Sequence, residues 1–338
     1  MTQARLRRLS HRHLDEPTAR PRVGRVPTRL GCMRLVFAGT PTVAADTLRT
    51  VLDDSNHDVV AVLTRPDAPQ GRSSRPVPSP VADLATERGI EVLKPARAKD
   101  PELAERLAEL APQCCPVVAY GGLIPQALLN VPDYGWVNVH YSLLPRWRGA
   151  APVQHAILAG DAVTGVTVFG LVAELDAGDI LGQREFALSA DATSGSVLAA
   201  LQPLGAQTLL EVLGDLEHRR AQARPQPSEG ITVAPKLTVA QARLDWHSAA
   251  VELDRRIRAN NPAPIAWTEF GGQRCRILSA RLVEDVGLEP GELLAQKRRL
   301  LVGTGNGTLE LLSVQPAGKK ALAGADWGRG LHHEGRFE

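Results

Sequence analysis

Hydrophobic positions fall along the chain in two rhythms. Up to about residue 216, short unbroken apolar runs alternate with stretches of helical period; beyond about residue 250, short strand-like runs are parted by glycine-rich turns. Arg34 to Gly39 (RLVFAG) is an apolar run stopped by glycine, which reads as a buried parallel strand. Thr40-Pro41 then opens a helical pattern from about Val43 to Leu52, proline being suited to a helix start. A strand from Asp58 to Thr64 completes a βαβ unit. The alternation continues with a helix over Val81 to Arg88, a short strand over Ile90 to Leu93 and an amphipathic helix over Pro101 to Leu110. Strands follow at Pro116 to Tyr120 and Gly135 to Val139, then a helix at Val153 to Leu158, strands at Gly165 to Leu171 and Ile180 to Leu188, and a long helix from Ser194 to Leu216. This order predicts an α/β domain with a mostly parallel sheet. It carries neither GxGxxG nor a GKS/GKT turn, so a dinucleotide or P-loop site is not supported.

His218 to Pro235 is polar, proline-rich and arginine-rich and reads as a linker. Beyond it, Val251 to Arg258 is a short helix carrying Arg255, Arg256 and Arg258, stopped by Asn260-Asn261-Pro262. Strands over about Ala266 to Phe270, Arg274 to Leu282, Leu300 to Val302 and Gly307 to Val314 predict a smaller β-barrel. The expected division is therefore an extension over 1–32, an α/β domain over 33–217, a linker over 218–236 and a β-rich domain over 237–338.

Charge and composition narrow the picture by exclusion. The chain has 338 residues and a formal net charge of +2, so nucleic acid, if bound, must be held by local patches. The four cysteines (Cys32, Cys114, Cys115, Cys275) form no CxxC pair or metal-ligand cluster, and a reducing cytoplasm is the default setting. No apolar run reaches the length of a membrane span, and no metal site is expected. Residues 1–32 hold eight arginines against Asp15 and Glu16 and lack an apolar signal core. They read as a disordered extension or an upstream start, with an RNA-contacting arm as the alternative.

The chemistry concentrates between Asn138 and Gln154 (NVHYSLLPRWRGAAPVQ). Asn138 and His140 are two apart on a strand, so both side chains point to one face near its carboxyl end, where ligands bind in open α/β sheets. Asp176 lies in a Gly-containing turn, Leu175-Asp176-Ala177-Gly178. Taken singly, each is ordinary: asparagine and aspartate as turn formers, histidine as a satisfied structural residue. Together, an amide donor, an imidazole and a carboxylate can run transfer at a carbonyl carbon.

The joint pattern, Asn-x-His followed by Ser-Leu-Leu-Pro and a distant Leu-Asp-x-Gly, resembles the folate-dependent formyltransferases, and the resemblance runs from Met33 nearly to the C-terminus. The continuation Arg146 to Gln154 is similar to the branch acting on initiator methionyl-tRNA rather than on glycinamide ribonucleotide. The resemblance implies a Rossmann-like formyltransferase domain, an OB-fold-like C-terminal domain that binds tRNA, a monomer, and 10-formyltetrahydrofolate as formyl donor. It implies catalytic roles for Asn138, His140 and Asp176. Chemically, Asn138 and a protonated His140 can supply the donors an oxyanion needs, and Asp176 can raise the pKa of His140 by pairing with it or relay the proton through water. It assigns folate contacts to Gly121, Gly122, Leu123, Ile124, Ser142, Leu143, Leu144, Pro145, Glu174 and Leu175, the Leu144-Pro145 bond being left open as cis or trans. Contacts to tRNA fall to Arg72 and Arg75 in the proline-rich loop 65–80, and to Arg146, Arg148, Lys236, Lys319 and Lys320. Here Ser74 and Arg75 replace the lysine pair usual in that loop. An amino-sugar formyltransferase, a formyl-folate hydrolase and a non-catalytic RNA-binding module stand as the alternatives; the last would have no need of the three site residues.

Overall fold

The computed structural model describes residues 32–54, 56–69, 75–331 and 335–338. Residues 1–31 and Arg72 lie outside them. In chain order the first half holds β1 (Met33–Gly39), α1 (Thr42–Asp53), β2 (His57–Leu63), a two-residue ladder of β3 (Ala68–Pro69) with β4 (Pro76–Val77), α2 (Pro80–Glu87), β5 (Glu91–Leu93), α3 (Pro101–Leu110), β6 (Cys115–Val118) and α4 (Gln126–Leu129). Then come β7 (Trp136–His140), α5 (Pro152–Ala159), β8 (Val163–Gly170), β9 (Ile180–Ala187), α6 (Ser194–Gly214) and α7 (Leu216–Ala221).

Seven strands form one sheet in the order β5-β2-β1-β6-β7-β8-β9. The first five pair in parallel, whereas β8 and β9 are antiparallel additions at the edge. From β1 the chain winds outward to β5 and returns to β6 on the other side of β1. The order therefore reverses between β1 and β6, and a crevice opens beyond their carboxyl ends. Thr40, just after β1, spans that gap by donating its hydroxyl to the Tyr120 carbonyl at 2.8 Å.

Pleating sorts the side chains of β7. Val137 and Val139 join the core under α1 and α6, whereas Trp136 joins the core under α3 and α4. Asn138 and His140 share the Trp136 face. Helix α6 starts with a reciprocal cap, the Thr193 hydroxyl accepting from Ser196 N and Ser196 Oγ accepting from Thr193 N. It is long and apolar enough to cross a membrane by length and composition, yet it buries Val197, Leu201, Leu209 and Val212 against the sheet.

The second half contains α8 (Ala250–Ala259), β10 (Trp267–Phe270), β11 (Gln273–Val283), β12 (Leu293–Gln296), β13 (Arg299–Gly303), β14 (Thr308–Pro316), β15 (Leu322–Ala323) and α9 (Gly324–Arg329). Its sheet is wholly antiparallel, in the order β10-β11-β14-β13-β12 with β15 beside β14. Leu253 and Ile257 of α8 seal the core of this sheet. The two halves are clasped at the start of α6: Gly195 N and Ser194 Oγ both donate to the Asn261 carbonyl, at 3.0 and 2.7 Å, and Arg258 donates to the Ala192 carbonyl at 3.1 Å.

Beyond the short elements β3, β4, α4, β15 and α9, which the pattern did not mark, two features differ from the sequence expectation. Strand β12 was unmarked because its hairpin turns through Lys297-Arg298, without the glycine or asparagine that usually signals a two-residue loop. The expected linker begins in helix α7, and its remainder is not a free tether but runs along the loop after β7.

Candidate active site

Three segments converge at the carboxyl end of β6 and β7. After β6 the chain turns sharply: Ala119 has φ +46° and Gly121 φ +76°, with open space where a Gly121 Cβ would sit. The turn is steadied by Arg65, which donates to the Gly121 carbonyl at 2.6 Å. Strand β7 contributes Asn138, partly exposed, and His140, buried. The third segment is the β8–β9 loop. It leaves β8 with Leu171 N donating to the Trp136 carbonyl, then folds back along the face of β7 until Asp176 reaches His140. Gly178 makes that reversal feasible, since a Cβ there would lie 1.7 Å from the Gly170 carbonyl oxygen.

The loop 141–151 fixes the imidazole. Nε2 of His140 lies 2.7 Å from the Trp147 carbonyl, which can only accept, so Nε2 carries the proton. The other nitrogen, Nδ1, then presents its lone pair toward Asp176 Oδ2, 3.8 Å away. That same carboxylate oxygen accepts the Gly149 amide at 2.7 Å. Burial pushes the His140 pKa below its usual value; the Asp176 charge and the Trp147 carbonyl oppose this without reversing it. Asp176 acts in the expected direction, but desolvation is the larger effect, which corrects the expectation of a protonated His140 as oxyanion donor. The imidazole is held neutral, as a base rather than as a cation.

Asn138, His140 and Asp176 line one cavity of about 360 Å³, together with Gly121, Gly122, Leu123, Ile124, Glu174 and Leu175 of the expected folate set. At its mouth Leu123 is 80% and Leu175 58% exposed. Ser142, Leu143, Leu144 and Pro145 are not among the residues lining this cavity and lie on the turn that follows β7. Ser142 Oγ donates to the Arg146 carbonyl at 2.6 Å, and Thr167 of β8 bonds both the Ser142 carbonyl and Leu144 N, so these residues brace the turn from behind. The Leu144–Pro145 bond is cis.

The expected tRNA-binding residues separate into two groups. Arg75, Lys236, Lys319 and Lys320 are exposed. Arg146 is paired with Asp161 through two bonds (2.9 and 2.6 Å) and lies over the Trp147 ring. Arg148 is only 8% exposed and is committed to Gln226 and Glu174, so its expected role as a phosphate contact is corrected to an internal one. Of the arginines on α8, Arg258 pairs with Asp254 at the joint between the halves. Sequence reasoning missed Gln226 and Thr232 altogether: Trp147 N donates to Thr232 Oγ1 at 2.8 Å, and Gln226 bonds the Asp176 loop. No signal in the linker's polar composition could have singled them out. Among the described residues no group of three or more His, Cys, Asp or Glu side chains could hold a metal ion.

An amide donor, a neutral imidazole and a carboxylate, set in an apolar slot at the carboxyl ends of β6 and β7, define an acyl-type group transferase. The sequence model of the formyl transferase family matches residues 33–213, and that of the formyl transferase C-terminal domain matches residues 236–332. The chain belongs to the formyl transferase family. It is 51% identical over 300 residues to a protein of Streptomyces griseus subsp. griseus named methionyl-tRNA formyltransferase, covering 88% of this chain and 97% of that one. A protein of the same name from Thermobifida fusca is 53% identical over 299 residues, covering 88% and 96%. Among solved structures, HypX from Aquifex aeolicus in complex with tetrahydrofolic acid shares the fold, with a TM-score of 0.60 at 21% identity over 87% of this chain; the chain spans just under half (46%) of HypX.

Proposed function

We propose that this protein transfers the formyl group of 10-formyltetrahydrofolate to the α-amino group of methionyl-initiator-tRNA in the cytoplasm, with residues 33–217 as the catalytic domain, 218–236 as the connection and 237–338 as a tRNA-binding domain, acting as a monomer. The observation that carries the chemistry is the convergence of Asn138, the unprotonated Nδ1 of His140 and Asp176 on one wall of a single cavity. Support for the acceptor is the near full-length identity with chains named for it.

The slot suits a flat, mostly apolar donor with a polar edge. Its lining is apolar apart from a few polar groups and the backbone of the 119–124 turn. Residues 121–124, Glu174 and Leu175 would hold the folate, with Leu123 and Leu175 covering its exposed side. The donor supplies an electrophilic formyl carbon. Among the described residues the Asn138 side-chain amide has no hydrogen-bond partner, and it can donate to the formyl oxygen as charge builds there; losing one such donor typically lowers the rate on the order of 10²- to 10³-fold. His140 Nδ1 takes the proton released by the attacking amine. Asp176 then faces the imidazolium at close range and stabilises it, while the Gly149 amide keeps the carboxylate in place. As the tetrahedral intermediate collapses, the formyl C–N10 bond breaks and that proton passes to N10, so the leaving group departs as neutral tetrahydrofolate. A base so positioned is typically worth roughly 10²–10⁴-fold. Ser142 has its hydroxyl committed to the Arg146 carbonyl and takes no covalent part.

Arg75, Lys236, Lys319 and Lys320 are the exposed cations offered to the tRNA backbone, and contacts of this kind weaken as salt rises. The test is transfer of formyl from 10-formyltetrahydrofolate to charged initiator tRNA, charged elongator tRNA and free methionine side by side. Product confined to initiator methionyl-tRNA is expected. Release of formate with no tRNA product would contradict the reading.

A further inference from the structure

We propose that Gln226, on the segment joining the two domains, is a positioning residue that holds Asp176 against His140, so that the connecting segment is a working part of the active site. The inference rests on the reading of Asp176 given above. The Gln226 amide is saturated. Its Nε2 donates to the Asp176 carbonyl at 2.7 Å and to the Gly178 carbonyl at 2.9 Å, while its Oε1 accepts Nε and Nη2 of Arg148 at 3.0 and 2.8 Å. Carbonyls only accept and a guanidinium only donates, so no other orientation of the amide satisfies all four. Arg148 reaches the same loop with Nη1, which donates to Glu174 Oε1 at 3.0 Å. The loop is thereby gripped at residues 174, 176 and 178, on both sides of the carboxylate.

That grip has something to resist. Asp176 sits at φ +48°, a left-handed conformation that a non-glycine residue keeps only where its surroundings enforce it. The same segment also governs the imidazole. Thr232 Oγ1 accepts Trp147 N, the Thr232 carbonyl accepts Arg148 N at 2.9 Å, and Ala234 N donates to the Arg148 carbonyl at 2.7 Å, which steadies the Trp147 carbonyl that receives His140 Nε2–H. Gly149 admits this close passage, since a Cβ there would stand 2.8 Å from the Ala234 carbonyl oxygen. Gln226 itself is only partly buried, on the segment beyond α7. Its removal is expected to release the loop while the three hydrophobic cores are untouched.

The test replaces Gln226 with Met, close in shape but unable to bond, and with Glu, which still accepts from Arg148 but cannot donate to either carbonyl. Each is measured in the wild-type and Asp176→Asn backgrounds for kcat, both KM values, melting temperature and amide exchange over residues 171–179. A loosened carboxylate is expected to lower kcat by about 10- to 100-fold, as small displacements of a reacting group do, with KM within about threefold. In the Asp176→Asn background the further loss is expected to be under about twofold, because a residue acting only through Asp176 has nothing left to position. Exchange over 171–179 is expected to quicken in both backgrounds, and any fall in melting temperature from the bonds lost to Arg148 and the two carbonyls is expected to be equal in both. Equal losses in the two backgrounds, a change in KM alone, or unchanged kcat beside a crippled Asp176→Asn enzyme would overturn the proposal. An Asp176→Asn enzyme at wild-type rate would instead remove the reading of Asp176 on which it rests.

Discussion

The two arms of the site are held in different ways. Asn138 and His140 stand on β7, a strand paired on both sides inside a seven-stranded sheet, so backbone ladders set their positions. Asp176 stands on a loop between antiparallel edge strands and is placed by side chains from elsewhere: Gln226 from the connecting segment and Arg148 from the loop after β7. The sheet arm is built to be rigid whatever happens to the second domain. The loop arm is only as well placed as the segment leading to that domain. Changes on β7 should therefore remove chemistry and leave geometry, whereas changes around the loop should act through geometry.

The largest effect is expected at the sheet arm. His140→Ala should lower kcat by roughly 10²–10⁴-fold, with folate and tRNA affinity retained, as measured by single-turnover transfer and equilibrium binding. Loss of both binding and melting temperature would mean that the histidine is structural. Gly178→Ala comes next. With a Cβ 1.7 Å from the Gly170 carbonyl oxygen, the loop must move bodily, and kcat should fall by about 100-fold while the β7 face is unchanged. Wild-type kcat in this variant would show that the loop's path is unimportant. Thr232→Val, which strips one hydrogen bond from Trp147 N, should lower stability by about 1–3 kcal/mol in denaturant titration and kcat by less than Gly178→Ala does.

The smallest effect is electrostatic. Burial holds the His140 pKa below its ordinary value, and Asp176 raises it from that lower level. Asp176→Asn should therefore lower it further, seen as a His140 imidazole resonance, assigned by its loss in His140→Gln, that titrates at lower pH than in the wild type. A titration above the ordinary histidine range would contradict the burial argument. The sign for stability follows from linkage. As pH falls, the unfolded chain takes up this proton before the folded one, so stability declines between the unfolded pKa of about 6.5 and the lower folded value.

The same contrast decides what the sequence could disclose. The Asn138/His140 pair was legible because a period of two on an apolar strand puts alternate residues on one face, and strand order puts that face at a crevice. Asp176 was legible through its glycine-containing turn, although only the folded loop gives the reason for Gly178. Arg148 was misread because burial of an arginine depends on partners 26 and 78 residues away. Gln226 was invisible for the same reason: in a polar, proline-rich stretch nothing local marks one glutamine as the clamp.

The most direct measurement is the single-turnover rate of formyl transfer to methionyl-initiator-tRNA by Asp176→Asn beside the wild type, at saturating folate and tRNA near neutral pH. The account predicts a loss of at least about 100-fold with both substrates still bound. A rate within about threefold of the wild type would contradict the claim that Asn138, His140 and Asp176 work as one unit, and with it the place given to the loop and the segment that holds it.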